Sequence, residues 1–264
     1  MESWRTAVVN ADDTHIWVHG YDVTDLMRQA GFVETVFLLH RGRLPNAGER
    51  KLLDAVLVGS ADHGPGAPSC ATARLAASGN RQSVSAAIAA GVLAIGDEHG
   101  GAGELCMQLV VDGLAAVAAS GGTLEEAARR AVEDARREGR RLPGIGHRSH
   151  TTDPRVATLF DMAREAGIAG DGIRFMRALE ASAAALIKPL PLNIDGALAA
   201  ILHDLGFPPR AAKFIFIIGR VAGLTAEVAE EYAREKPMRI KIPVTYDGPA
   251  ARPLPPQDRK GKQD

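Results

Sequence analysis

Residues 83–101 read SVSAAIAAGVLAIGDEHGG, and this stretch decides how the chain is interpreted. Its larger apolar residues recur every three or four positions, which predicts an α-helix. These residues are Val84, Ile88, Val92 and Ile95. The many alanines between them predict a buried helix with small contact faces. The helix pattern stops at a glycine, and His99 then precedes two more glycines, which permit unusual backbone angles and close approach of a ligand.

The same helical periodicity continues over most of the chain after Tyr21, so the sequence predicts an all-α protein. Two capping boxes mark helix starts, one formed by Asn46 and Glu49 and the other by Thr123 and Glu126. No internal repeat, heptad pattern or low-complexity block interrupts this organisation. The sequence therefore favours several packed helices over a solenoid or a coiled coil.

The two ends of the chain differ from its helical middle. Residues 6–19 contain two short apolar runs, AVV and IWV, on either side of the turn-like residues 10–13, which predicts a short β-hairpin. Residues 248–264 are rich in proline and charge without apolar periodicity, which predicts a flexible tail. Near the middle, Asp153 before Pro154 predicts an N-cap and a first helical turn.

Composition excludes several classes of partner. The 31 basic and 32 acidic residues nearly cancel, so no overall field attracts nucleic acid or anionic membrane. No run approaches the ~18 consecutive apolar residues that span a bilayer. The first residues, MESWRTAVVNADD, do not resemble a secretory signal, and the two cysteines, Cys70 and Cys106, lie in apolar helical stretches. We expect a cytoplasmic protein with reduced, buried thiols.

Ionisable residues lie in glycine-marked breaks between the predicted helices. The four breaks are ADHGP at 61–65, GDEHGG at 96–101, PGIGHR at 143–148 and NIDG at 193–196. Taken singly, each residue has an ordinary structural explanation, since a histidine before Gly-Gly is commonly a loop residue and Asp195 alone could cap a helix. Arg220 is less ordinary, because it lies within the apolar stretch KFIFIIGRVAGL. A buried arginine needs a carboxylate, from the protein or from a ligand.

Several common site types lack their motifs in this sequence. His147 and His150 are three residues apart, but no His-Glu-x-x-His run or cysteine pair accompanies them, which disfavours a metal site. No Gly-x-Ser-x-Gly elbow indicates a serine hydrolase. No Gly-x-Gly-x-x-Gly follows a strand, so a dinucleotide site has no support.

Two histidines, an aspartate and several arginines fit one reaction type. Removing a proton from the α-carbon of a thioester needs a carboxylate base and a hydrogen-bond donor at the thioester oxygen. Adding that carbon to a ketone needs a second donor at the ketone oxygen, and arginines suit a di- or tricarboxylate. The reverse cleavage, a retro-Claisen reaction, uses the same groups.

Four ordered segments resemble the citrate synthase superfamily, which includes citryl-CoA lyase and the C-terminal part of ATP-citrate lyase. They are residues 19–49, 71–104, 143–155 and 193–231. Within them stand the Gly-Tyr and LL…G.LP pattern, the HGGA motif, the G-x-GHR…DPR signature and the N-x-D and arginine-containing helices. They are spread along nearly the whole chain, from residue 19 to residue 231.

The resemblance implies a role for each candidate residue. Asp195 would take the thioester α-proton, His99 would donate to the thioester oxygen, and His147 would donate to the carbonyl or hydroxyl of the partner acid. His63, Arg155 and Arg220 would hold the substrate carboxylates. Gly144 and Gly146 would contact the coenzyme A thioester, which is a substrate, and no tightly bound cofactor or metal is implied.

The resemblance also implies a helical homodimer or higher homo-oligomer with a cleft between two domains. We expect a large domain from residues 1–101 and 207–247, a small domain from 102–206 and a tail from 248–264.

Departures from the family pattern separate three functional hypotheses. The length and the Gly64-Pro65 pair favour a citryl-CoA lyase-type enzyme that cleaves a (substituted) citryl-CoA. The intact HGGA motif favours the alternative, a short citrate or alkylcitrate synthase. A non-catalytic paralogue that binds CoA esters is the third hypothesis. The late Arg-Pro-Arg motif of synthases, which reaches the neighbouring subunit's site, is replaced by RIKIP at 239–243.

Overall fold

The computed structural model describes residues 3–146 and 153–254. Its described elements are three short strands followed by eleven α-helices. They are β1 (Val9–Ala11), β2 (Ile16–Val18), β3 (Tyr21–Asp22), α1 (Val23–Gln29), α2 (Phe32–Arg41), α3 (Ala47–Ala61), α4 (Pro68–Gly79), α5 (Val84–Leu93), α6 (Ala102–Ser120), α7 (Leu124–Arg137), α8 (Pro154–Glu165), α9 (Asp171–Leu186), α10 (Ile194–Asp204) and α11 (Ala211–Arg234). The predicted all-α fold is confirmed.

The N-terminal hairpin is present and carries one strand more than the sequence predicts. The strands form an antiparallel sheet in the order β1-β2-β3, with Val9 opposite Val18 and Trp17 opposite Asp22. Val18 is buried with Leu26 and Leu38, and these contacts hold the sheet against α1 and α2.

Local sequence signals fix the helix starts as expected. Asn46 accepts from the Glu49 backbone N–H at 2.9 Å, and the Glu49 carboxylate accepts from the Asn46 N–H at 2.8 Å. Thr123 and Glu126 form the same reciprocal pair at α7. Each box satisfies two backbone donors that a helix end otherwise leaves unpaired. Asp153 caps α8, with proline at the first turn.

The long helix α11 contacts α3, α4, α5, α6 and α10. One core cluster draws residues from α2, α3 and α6 to α11, and a second joins α4, α5 and α11. The first cluster contains residues from both sides of positions 101 and 206, the expected limits of the small domain, so it does not separate the two predicted domains. The domain boundaries remain a prediction.

The prediction of a buried helix with small contact faces is correct in part for α5. Its contact face is small, since Ala87 and Gly91 are buried and allow close contact with α4 and α11. The helix is less buried than predicted, because Val84 is 51% exposed and Leu93 is 85% exposed.

Helix α6 is, among the described residues, the one helix long and apolar enough to cross a membrane. Glu104, Gln108 and Asp112 interrupt its apolar residues, so the sequence contains no continuous apolar run there. It contacts α7, α9, α10 and α11 and buries Cys106, Met107 and Val110. Such packing is also typical of the core helix of a globular protein, so the length of α6 is weak evidence for a membrane span.

Candidate active site

A cleft of about 1340 Å³ collects the candidate residues from all four glycine-marked breaks. The residues predicted from the sequence that line it are His63, His99, Gly144, Gly146, Arg155, Asp195 and Arg220. The eighth candidate, His147, lies outside the described residues. The cleft therefore lies where the N-termini of α4, α6 and α10 meet the middle of α11.

His99 is held in one orientation by Ser69. The Ser69 backbone N–H donates to His99 Nε2 at 3.2 Å, and the Ser69 hydroxyl lies 2.9 Å from the same nitrogen. Arg220 donates to that hydroxyl at 3.1 Å, so the hydroxyl hydrogen is directed at the histidine. Because Nε2 accepts, the ring proton of neutral His99 lies on Nδ1. A neutral imidazole N–H of this kind can stabilise an enolate oxygen.

The turn that carries His99 requires its glycines. Backbone hydrogen bonds between Gly96 and His99 close the turn, and Gly101 N–H donates to Gly96 O at 2.9 Å. Gly100 has φ +71°, and a Cβ there would overlap the Phe216 ring. The same ring lies edge-on to His99, with centroids 6.4 Å apart. The Gly-Gly pair therefore positions the histidine through close packing.

Asp195 lies in the first turn of α10 and lines the cleft. Asn193, not Asp195, is the N-cap, because its side chain accepts from the Asp195 and Gly196 N–H groups at 3.0 and 3.2 Å. The pKa of Asp195 is raised from 3.8 to about 6, chiefly by burial, with Asp153 adding to the rise and Arg155 and Arg220 opposing it. A carboxyl that titrates near neutrality can both take and return a proton.

The loop with Gly144 and Gly146 is fixed to the start of α10. Asn193 donates to Gly146 O at 2.7 Å, and Gly146 N–H donates to Pro191 O at 2.7 Å. A Cβ on Gly144 would lie 2.7 Å from the Gly196 Cα, and Gly144 has φ +78°. Both glycines line the cleft as predicted, and Gly144 also allows the loop to approach Asp195 closely.

Arg220 is 2% exposed and projects from α11 into the cleft. It donates to Ser60 O at 2.9 Å and to the Ser69 hydroxyl, and its guanidinium lies 4.9 Å from the Phe216 ring centroid. Within residues 3–146 and 153–254, no carboxylate lies within ion-pair distance of it. Its hydrogen-bond and ring partners are neutral, and the carboxyl of Asp195 acts on its charge only at longer range.

Arg155 reaches the same cleft from the start of α8. It makes a bidentate ion pair with Asp153, at 2.9 and 2.8 Å, and it donates to Gly59 O at 3.2 Å. The Asp153 side chain is fully buried, whereas that of Arg155 is 23% exposed. Asp153 therefore orients the arginine as well as capping the helix, a role that the sequence signal for an N-cap did not reveal.

His63 follows the end of α3 at the rim of the cleft and is exposed. Asp62 accepts from the Gly64 N–H at 2.5 Å, and Gly64 has φ +80°. This tight turn gives the ADHGP motif its shape and places His63 on the cleft side.

Three exposed basic side chains also line the cleft. They are Arg140, Arg141 and Lys188, and Arg141 lies 3.4 Å from Glu98. No sequence signal marked them, because exposed arginines are ordinary on any surface.

Three possible metal ligands lie together beside the cleft. The ligand atoms of Asp62, Cys70 and Glu227 are all within 4.8 Å of one another. Arg74 already donates to Glu227 at 2.6 Å, and burial raises the pKa of the Cys70 thiol. A cation would have to compete with Arg74 and deprotonate a thiol that burial keeps protonated.

Comparisons with known proteins identify the family of the chain. Residues 47–241 match the family described as "Citrate synthase, C-terminal domain". The solved citryl-CoA lyase of Hydrogenobacter thermophilus is 35% identical, with a TM-score of 0.87 over 96% of this chain and 98% of that one. The ATP citrate lyase of Methanothrix soehngenii is 20% identical, with a TM-score of 0.78 over 95% of this chain and 42% of that one, and so shows a shared fold.

Among curated proteins, the 2-methylcitrate synthase of Shewanella oneidensis is 31% identical over 206 residues, which are 76% of this chain and 52% of that protein. The ATP-citrate synthase subunit 1 of Sordaria macrospora is 26% identical over 231 residues, 80% of this chain and 33% of that protein. The chain thus spans about half or less of these two relatives. It belongs to the citrate synthase family of enzymes.

Proposed function

We propose that the protein is a citryl-CoA lyase-type enzyme, which cleaves a (substituted) citryl-CoA to acetyl-CoA and oxaloacetate. The observation that carries this proposal is the arrangement of the cleft, where a carboxyl with a pKa of about 6 lies in one cavity with a neutral histidine and two arginines. The 35% identity to a citryl-CoA lyase over almost the full length of both chains supports the lyase direction.

The residues suggest a balanced cleavage step. A base takes the proton of the tertiary hydroxyl of the substrate. The electron pair left on that oxygen forms the ketone of oxaloacetate, and the carbon–carbon bond breaks. The electrons of that bond form the enolate of acetyl-CoA, whose oxygen accepts a hydrogen bond from His99. Protonated Asp195 then gives its proton to the enolate carbon. By family resemblance, the group at the hydroxyl would be His147.

Carboxylate recognition falls to the two arginines. Arg220 is buried without a protein carboxylate, so a substrate carboxylate would complete its charge pairing. Arg155 retains donor capacity beside Asp153 and lies at the same cavity wall. His63 at the rim would contact a further carboxylate. The exposed Arg140, Arg141 and Lys188 would hold the phosphates of coenzyme A at the mouth.

Condensation is the second candidate. Asp195 and His99 would then form the enolate from an acyl-CoA and add it to oxaloacetate or another α-keto acid. The 31% identity to a 2-methylcitrate synthase favours this reading. A non-catalytic CoA-ester-binding protein is less favoured, because the cleft retains His99 and Asp195 in a geometry suited to chemistry.

For the assembly, we infer a homodimer. The family resemblance supports this, and α5 leaves the large apolar residues Val84 and Leu93 exposed at its two ends. Closure of a small domain, residues 102–206, over the substrate would exclude water from the cleft.

Two incubations test the function. The purified protein is given citryl-CoA in one, and acetyl-CoA with oxaloacetate in the other, while free CoA and acetyl-CoA are followed. We expect acetyl-CoA and oxaloacetate from citryl-CoA. Free CoA released only in the second mixture would contradict the lyase proposal and favour a synthase, and inactivity in both would favour the non-catalytic hypothesis.

A further inference from the structure

A pair of backbone hydrogen bonds joins the cleft loop of residues 144–146 to the segment before α10. The Asn193 N–H donates to Gly144 O at 3.0 Å, and the Gly146 N–H donates to Pro191 O at 2.7 Å. The two segments run antiparallel. The loop is therefore held edge to edge against the start of α10, as in a short pair of β-strands.

The side chain of Asn193 adds a further connection and uses both ends of its amide. Its Oδ1 accepts from the Asp195 and Gly196 N–H groups at 3.0 and 3.2 Å, and its Nδ2 donates to Gly146 O at 2.7 Å. Only one orientation of the amide places its acceptor at the two N–H groups and its donor at the carbonyl. A single side chain thus connects the backbone of Asp195 to the loop.

Glycines face each other where the loop approaches α10. A Cβ on Gly144 would lie 2.7 Å from the Gly196 Cα, and a Cβ on Gly196 would lie 2.7 Å from Gly144 O. Neither residue has a side chain that could interlock with the other, so hydrogen bonds must fix how the loop sits against α10. Asn193 donates to two of the loop's three carbonyls, those of Gly144 and Gly146.

The segment that carries Asn193 is itself anchored to α9. The Glu180 carboxylate accepts from the Leu192 N–H at 2.8 Å, and Leu192 is buried. Helix α10 also packs directly against α9. Asn193 therefore extends from fixed structure, so it can hold the loop in place.

We propose that Asn193 is a positioning residue, which sets the distance between Asp195 and the loop that would bind the CoA thioester. This inference rests on the proposed function, in which Asp195 exchanges a proton with the α-carbon of that thioester. A misplacement of about 1 Å between reacting groups can lower a rate by about 100-fold. Loss of the Asn193 bond to the loop should therefore slow the chemical step more than it weakens substrate binding.

Asn46 offers a matched comparison, because it caps α3 and does not line the cleft. Its side chain accepts from the Glu49 N–H at 2.9 Å, and among the described residues its amide nitrogen has no hydrogen-bond partner. Serine caps a helix about as well as asparagine does, but it has no amide N–H to offer a second segment. Asn46→Ser therefore keeps the cap and loses nothing else, whereas Asn193→Ser keeps the cap and loses the bond to Gly146.

Steady-state kinetics on the full-length protein test the proposal, with citryl-CoA or with acetyl-CoA and oxaloacetate, whichever the unmodified protein converts. We expect kcat to fall roughly 30-fold in Asn193→Ser, with KM changed less than about threefold, and to stay within about twofold in Asn46→Ser. Asn193→Thr, a second capping residue without an amide, should behave as Asn193→Ser does. Circular dichroism checks that each variant folds.

Hydrogen exchange gives a readout that does not depend on turnover. In peptides covering residues 142–146, we expect exchange roughly tenfold faster in Asn193→Ser, because the bonds of the Gly146 N–H and of its neighbours open more often, and no change in Asn46→Ser. An unmodified protein that converts neither substrate would reject the proposed function, while faster exchange in Asn193→Ser alone would still support the hold of Asn193 on the loop. An unchanged kcat, unchanged exchange, or equal losses in the two serine variants would overturn the proposal.

Discussion

Two buried arginines on neighbouring helices have different partners. Arg74 of α4 contacts Glu227 at 2.6 Å, Glu230 at 2.8 Å and Glu231 at 3.0 Å. Arg220 of α11 contacts a backbone carbonyl, a serine hydroxyl and an aromatic ring, and it faces the cleft. The first arginine has its countercharge within the protein and holds α4 to α11. The second lacks one, and we infer that a substrate carboxylate supplies it.

Asp195 lies in the same cleft as Arg220, and we expect its substitution to have the largest effect on activity. Asp195→Asn keeps the shape but cannot carry the proton, so we expect cleavage of citryl-CoA to fall by roughly 10²–10⁴-fold. The rate of acetyl-CoA formation measures it, with circular dichroism as the control for folding. Activity within a factor of a few of the unmodified enzyme would remove Asp195 from the mechanism.

Substituting each arginine by methionine should separate structure from function. Arg74→Met leaves the mostly buried Glu227 without its cation, whereas Glu231 keeps its pair with Arg239. We expect unfolding to cost about 3 kcal/mol less. Arg220→Met removes a cation that forms no ion pair with a carboxylate among the described residues, so stability should change much less. Urea unfolding of both variants measures the difference. Equal destabilisation would mean that Arg220 is as structural as Arg74.

The effect of Asp195→Asn on stability should have the opposite sign to its effect on activity. Folding raises the pKa of Asp195 from 3.8 to about 6. The ionised form is therefore disfavoured in the folded protein, and at pH 8 this costs about 1–3 kcal/mol, at roughly 1.4 kcal/mol per pKa unit.

The cost is absent below about pH 4, where the carboxyl is protonated in both the folded and the unfolded state. Asp195→Asn should therefore stabilise the protein at pH 8 and leave it unchanged at pH 3.5 if the fold persists there. Thermal unfolding at several pH values measures this. A variant that is less stable than the parent at pH 8 would show that the carboxylate is well solvated or paired.

Ser69 links Arg220 to His99, and we expect removal of its hydroxyl to have the smallest effect on activity. Ser69→Ala removes one hydrogen bond to each partner but keeps the backbone N–H that fixes the His99 tautomer. We expect kcat to fall about tenfold, equivalent to about 1.4 kcal/mol. An unchanged kcat would place the orienting role on the backbone N–H alone. Ser69→Thr, which keeps the hydroxyl, is the matched control.

Much of the site could be predicted, because it is marked by local signals. The glycine-flanked His99 and Asp195 and the out-of-place Arg220 were visible in the sequence, and all three line the cleft. Ser69 was not predicted, since a serine in an alanine-rich helix carries no local signal. Its role depends on contacts with residues 30 and 151 positions away.

The fold followed the same rule. Capping residues such as Asn46 and Thr123 predicted helix starts, because their hydrogen bonds span only three residues. The burial of α5 was overestimated, because the extent of burial depends on how α4 and α11 pack against the helix and not on the helix sequence alone. The ion pair of Arg239 with Glu231 could not be predicted from the sequence either. Glu231 also pairs with Arg74, which is distant in sequence, so the arrangement depends on the tertiary fold.

Calorimetric titration tests the central claim most directly. Citrate, a tricarboxylate, is titrated into the unmodified protein, the Arg220→Met variant and the Arg74→Met variant at a temperature where all three are folded. We predict that Arg74→Met binds citrate as the unmodified protein does, while Arg220→Met loses at least about 2 kcal/mol of affinity, or roughly 30-fold. Unchanged citrate binding by Arg220→Met would contradict the account of Arg220 as a carboxylate receptor.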